Sequence, residues 1–175
     1  MIFKKNSKMY KKEEREFMKV DKTNAMRFLD KKKVEYKVHT YEHGVHDPVD
    51  GIHVANMLQQ SEERVFKTLV LVTNTKEHIV CMIPVSMELD LKKCAKAAGV
   101  KSVSMLPLKD LTKITGYIRG GCSPLAMKKQ FRTFINENCL EYETIYFSGG
   151  KIGMQIEMDP QILLNLIPVQ VNTLV

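Results

Sequence analysis

Two side chains are best placed to do chemistry: Cys122 in TGYIRGGCSP (residues 115–124) and Lys67 in VFKTLVLV (residues 65–72). Cys122 follows Gly120 and Gly121. As a nucleophile on a tight turn it would need a base within hydrogen-bond reach and a lowered thiol pKa. Arg119 can lower that pKa, but no histidine lies close in sequence. The alternative is a backbone cradle, in which the glycines let the main chain approach a ligand and the thiol is a passenger. Ser148, Gly149 and Gly150 can form a second such lip. Either glycine pair alone also suits an ordinary turn.

Lys67 interrupts an apolar strand. Period two puts Phe66, Thr68, Val70 and Val72 on one face, and Val65, Lys67, Leu69 and Leu71 on the other. A lysine among apolar neighbours either snorkels to the surface or sits in a cavity where its charge is used. In a cleft it can polarise a carbonyl, hold a phosphate or pair with a carboxylate. His39, His43 and His46 form HxxxHxxH, but the segment reads as a strand running into a Gly/Pro loop, so helical ligand spacing does not apply. Ordinary loop histidines, and no metal, are expected.

These residues need elements to hold them. Apolar periodicity predicts a helix from about Lys22 to Lys33, a strand over Tyr36–Tyr41 and a short helix over His53–Gln60 after the turn-rich EHGVHDPVDG. VFKTLVLV and HIVCMIPV (residues 78–85) read as an antiparallel hairpin at the centre of a sheet. Asp90 caps LKKCAKAAG, which Gly99 ends. Val103–Met105 reads as a short strand and Leu108–Ile114 as a short helix. TIYFSGG and KIGMQIEM (residues 144–158) read as a second hairpin, and Asp159–Pro160 opens a last helix, QILLNLI. Without regular βαβ alternation, the fold class is α+β with a mostly antiparallel or mixed sheet.

The 175 residues suit one domain with one sizeable core. A basic leader (residues 1–20) precedes the domain (residues 21–168), and a strand-like or frayed tail (residues 169–175) follows. The leader holds seven Lys/Arg against three Glu, more than half of the net charge of +7. It suits a polyanion such as RNA or is a solvated extension. No apolar run reaches the roughly 18 residues of a membrane span. The polar N-terminus lacks a secretory core, so a cytoplasmic location is expected. The four cysteines, spread singly, are expected to be free thiols.

Together, KTNAMRFLD, HTYEH, the DG at residues 50–51, VFKTLV, IPVSMELDLKKCAKAAG, TGYIRGGCSP and TIYFSGGKIGMQIEM resemble, in order, the YbaK/EbsC family. That family includes bacterial Cys-tRNA(Pro) deacylases and related aminoacyl-tRNA editing domains. The resemblance runs from about Lys22 to Ile167. It implies a mixed, partly barrel-like sheet surrounded by helices and no cofactor. It implies that Lys67 and the backbone of Gly120 act on the aminoacyl ester of mischarged tRNA. Tyr41, Asp50, Tyr117, Gly121, Ser123, Pro124, Ser148, Gly149 and Gln155 match substrate-binding positions. Some members carry an aromatic residue where this chain has Asp50, and some carry Asp at Gln155. The resemblance further implies trans-editing of Cys-tRNA(Pro), attack by the substrate's own thiol, and recruitment by prolyl-tRNA synthetase. An Ala-tRNA(Pro) deacylase and a non-catalytic nucleotide- or RNA-binding module of the same fold are the competing readings.

Overall fold

The computed structural model describes residues 21–44 and 50–175. The basic leader and His46 lie outside the described residues. The described elements are α1 (Asn24–Lys32), β1 (Lys37–Thr40), α2 (Gly51–Met57), β2 (Phe66–Thr73), β3 (His78–Pro84), α3 (Leu91–Ala98), β4 (Val103–Met105), α4 (Leu108–Thr115), β5 (Arg132–Asn136), β6 (Ile145–Ser148), β7 (Met154–Met158), α5 (Pro160–Leu166) and β8 (Val169–Asn172). A 3₁₀ turn, Glu137–Glu141, follows β5.

The strands form two sheets, β1-β7-β6 and β4-β2-β3-β5-β8. The larger is mixed, with β3–β5 and β5–β8 parallel and its other pairs antiparallel. The two sheets meet at a parallel bridge between Val65 and Tyr146, where the Tyr146 N–H donates to the Arg64 carbonyl at 3.1 Å. The α+β class expected from sequence holds, with the mixed sheet divided into two that share one seam.

Both faces of the central hairpin are buried. Met82 packs with Phe66, Leu125, Ile135, Phe147, Ile156 and Leu163 in one apolar cluster. Ile79, Cys81 and Ile83 pack with Leu71, Cys94, Phe134 and Leu174 in another. The alternation follows from the two-residue period of strands.

Capping fixes the helix ends. Thr23, Asp90 and Asp159 accept from main-chain N–H groups of α1, α3 and α5, and Gly99 adopts φ +69° where α3 stops. Helix α2 begins two residues earlier than its apolar pattern suggests. The Asp50 carboxylate caps it by accepting from the His53 N–H at 2.8 Å, and Gly51 sits against Val85. Strand β5 was not expected, yet it is the parallel link between β3 and β8. The segment set apart as a tail supplies β8, and Leu174 beyond it is fully buried.

Candidate active site

A cavity of about 570 Å³ opens where the two sheets meet. Residues 65–70 of the β2 segment all line it, regardless of face. The cause is a missing neighbour: β4 pairs with β2 only over Leu71–Thr73, with one further bond from the Leu106 N–H to the Val70 carbonyl. Between that bond and the bridge from Val65 to Tyr146, this edge of β2 is open. The Val85 N–H donates to the Val65 carbonyl, so odd-numbered residues of β2 turn their main chain toward β3. By alternation, Thr68 turns its N–H and C=O groups toward the open edge.

Lys67 stands in this wall, half-buried. Burial pulls its pKa below the ordinary 10.5, and the Glu88 carboxylate partly opposes the shift. Among the described residues it has neither an ion pair nor a hydrogen-bond partner, and it lines the cavity. Two further polar atoms are orphaned in the same wall: Thr68 Oγ1 and Gln155 Oε1 are buried without a partner. An unmade bond of this kind costs about 1–3 kcal/mol, which a bound ligand would recover. Thr68 escaped the sequence reading, although its place beside Lys67 was the available signal.

Of the expected site residues, Lys67, Gly120, Asp50, Ser148 and Gln155 come together around the cavity. The others support it from behind or outside. Tyr117 is buried under its own loop, where its hydroxyl donates to the Leu125 carbonyl at 2.6 Å; burial, with help from Cys122, pushes its pKa up to about 12. The Ser123 hydroxyl accepts from the Leu125 N–H, and Pro124 is buried beside it. Tyr41 donates its N–H to the Gly153 carbonyl at 3.0 Å, tying β1 to the turn before β7.

The two glycine loops interlock. A Cβ on Gly121 would lie 3.1 Å from the Ile152 nitrogen, and one on Gly150 would lie 3.0 Å from the Tyr117 ring. The Gly149 carbonyl accepts from the Thr23 hydroxyl at 2.5 Å, which anchors the start of α1 to the same lip. Ser148 braces the lip from within, its hydroxyl accepting from the Gly150 N–H at 3.2 Å.

Cys122 lines the cavity but lacks the setting of a nucleophile. Burial pushes its thiol up to about 11, and the Thr115 hydroxyl offsets this only in part. Arg119 does not offset it. The histidines serve elsewhere: His39 pairs with Glu157 at 2.7 Å, and His43 is exposed. Among the described residues no group of three His, Cys, Asp or Glu could hold a metal. No described helix is long and apolar enough to cross a membrane.

A loop-braced cavity with one unpaired lysine and two orphaned polar atoms in its wall suits a small ligand that carries polar and anionic groups. A family model for the aminoacyl-tRNA editing domain matches residues 46–166. The chain belongs to this family. An Enterococcus faecalis (strain ATCC 700802 / V583) protein with the provisional name Cys-tRNA(Pro)/Cys-tRNA(Cys) deacylase EbsC is 50% identical over 145 residues. That match covers 83% of this chain and 88% of the relative. Two crystal structures share the editing-domain fold. One, of a hypothetical protein designated APE2540, has a TM-score of 0.79 at 19% identity and covers 87% of this chain and 99% of its own. The other is described as a candidate trans-editing enzyme for prolyl-tRNA synthetase and has a TM-score of 0.76 at 20% identity. It covers 86% of this chain and 94% of its own.

Proposed function

We propose that this editing domain is a trans-editing deacylase that cleaves the aminoacyl ester of mischarged tRNA, with Cys-tRNA(Pro) as its substrate. The observation that carries this reading is a cavity with an unpaired cation and, among the described residues, no activated protein nucleophile. Lys67 lines the open space, while Cys122, the one thiol in the wall, is held protonated. Such a site positions rather than attacks.

In this reading the terminal adenosine and its small acyl group fill the cavity. Lys67 stabilises charge developing on the ester carbonyl oxygen, and the Gly120 main chain borders the same oxygen. Gln155 Oε1 accepts from the substrate ammonium, and the Thr68 hydroxyl and open main-chain edge hold the ribose or base. The substrate's own thiol attacks the ester carbon. A sulfur–carbon bond forms, the carbon–ribose-oxygen bond breaks, and the thiol proton ends on the ribose oxygen, leaving a cyclic thiolactone and free tRNA. Well-oriented intramolecular attack can lower the barrier by several kcal/mol without an enzyme base. The protein acts in the cytoplasm, where charged tRNA is found, and works beside prolyl-tRNA synthetase, for which a fold relative is named.

Purified protein mixed with Cys-tRNA(Pro) and Ala-tRNA(Pro) tests the reading. Loss of the cysteinyl ester well above the spontaneous rate is expected, with alanyl ester spared. Cys122→Ser should keep activity within about threefold, because removing an unused thiol leaves transition-state contacts intact. Failure to deacylate either tRNA, or a Cys122→Ser variant as dead as Lys67→Ala, would overturn it.

A further inference from the structure

The cavity mouth holds a cation that the ester chemistry leaves idle. Four arginines lie among the described residues, and the protein itself engages three. Arg27 bonds Asn24, Arg64 bonds Thr144, Gln60 and Glu157, and Arg132 bonds Glu77 and the Ala98 carbonyl. Arg119 lines the mouth, is exposed, and has no partner among the described residues.

Its backbone is held rigidly. Ile118 to Gly121 form a tight turn closed by the Gly121 N–H donating to the Ile118 carbonyl at 3.0 Å, with Gly120 at φ +81°. Gly121 abuts the Lys151–Ile152 main chain, so the turn cannot tilt without opening the second glycine loop. Exposed apolar side chains precede Arg119 in the turn and line the same cavity. Leu108 is 57% exposed, Ile118 53% and Met105 47%, and Leu108 and Met105 themselves line the cavity. The carboxylate on this rim, Asp50, already caps α2.

We propose that this turn is a docking shelf for the nucleotide that precedes the terminal adenosine of the tRNA. Arg119 pairs with the phosphate joining the two nucleotides, and Ile118, Leu108 and Met105 take the preceding base. The assignment rests on the deacylase reading above. A cavity of about 570 Å³ accommodates one nucleoside and a small acyl group, so the chain must leave through the mouth at its first phosphodiester. A guanidinium matches a phosphate with two parallel hydrogen bonds, and unstacked bases of single-stranded RNA settle on apolar or planar side chains. The rim thus supplies both halves of a nucleotide site.

The test compares two substrates: intact Cys-tRNA(Pro), and cysteinyl-adenosine, which has no preceding phosphate or nucleotide. Arg119 is exposed and unpartnered, so its variants should fold as the parent does. Arg119→Ala should raise KM for the tRNA about tenfold at unchanged kcat. It should also flatten the dependence of log KM on log salt by about 0.7, the share of one phosphate on a single strand. Arg119→Lys should recover the salt slope but only part of the affinity. Leu108→Ser and Ile118→Ser should each raise KM for the tRNA about three- to fivefold. The two Arg119 variants and Ile118→Ser should match the parent on cysteinyl-adenosine. Binding of a non-acylated single-stranded oligonucleotide ending in CCA, read by fluorescence anisotropy, should weaken in the same order. Equal losses on both substrates would place Arg119 in the ester chemistry and overturn the shelf, as would unchanged KM on the tRNA. Parent protein that cleaves neither substrate would instead bring down the deacylase reading, and the shelf with it.

Discussion

Lys67 pits function against stability in a single side chain. Burial lowers its folded pKa below the 10.5 of the unfolded chain, so the unfolded state binds the proton more tightly. At neutral pH the charged lysine therefore disfavours folding, and this penalty fades as pH rises through the folded pKa toward 10.5. Lys67→Met keeps the stem and removes the charge. It should melt no lower than the parent at pH 7 while losing about 10²- to 10³-fold in kcat/KM, the usual cost of a removed electrostatic stabiliser. The parent's activity, corrected for spontaneous ester loss, should fall on the alkaline side below pH 10.5, and Lys67→Arg should push that limb higher. A variant that both unfolds and loses activity would make Lys67 a structural residue.

At the scale of elements, the glycines explain how short segments hold a site in place. Gly51 opens α2 against Val85, and a Cβ there would lie 2.1 Å from Val85 Cγ1 and 2.5 Å from its Cβ. Gly51→Ala should cost about 1–3 kcal/mol in chemical denaturation through overpacking. Adding Val85→Ala should return part of that loss, whereas a purely local helix effect would leave the two changes additive. The same segments show what a sequence discloses. The caps at Asp90 and Asp159 and the central hairpin were legible, because side-chain spacing and local hydrogen bonding specify them. Lys67 and Gly120 stood out because a charge in a strand and a glycine pair in a turn are local anomalies. Strand β5 was not legible, since its partners β3 and β8 lie far away in the chain and pair in parallel. Nor was the lining role of Thr68, which depends on β4 stopping short of it. Tyr117 and Ser123 entered as cleft positions through the family resemblance, which matches places in a motif and not the side of the loop that a side chain takes.

At the scale of the whole molecule, the cavity is only as well defined as the seam between the sheets. Lys67 and Thr68 come from the larger sheet, and Ser148 and Gln155 from the smaller. Glu157, two residues beyond Gln155 on the same face of β7, fastens the seam. Its carboxylate accepts from the Thr144 hydroxyl at 2.6 Å, from Arg64 at 3.2 Å and from His39 at 2.7 Å. Arg64 also donates to the Thr144 carbonyl at 2.7 Å and stacks over Tyr146, which joins the segment entering β2 to β6. Burial alone would raise the Glu157 pKa, but bonds from Thr144, His39 and Tyr146 outweigh it and hold the group below its ordinary 4.5. A depressed folded pKa contributes stability above the unfolded value and loses it as pH falls through the folded one. Glu157→Gln should therefore lower the unfolding free energy by about 1–3 kcal/mol at pH 7. Its gap from the parent should close as pH drops below 4.5. At pH 7 the variant should also raise KM for Cys-tRNA(Pro), because the wall carrying Gln155 is no longer pinned to the wall carrying Lys67. A pH-independent stability gap would assign the seam to packing of Tyr146 and its neighbours instead of to the charge on Glu157.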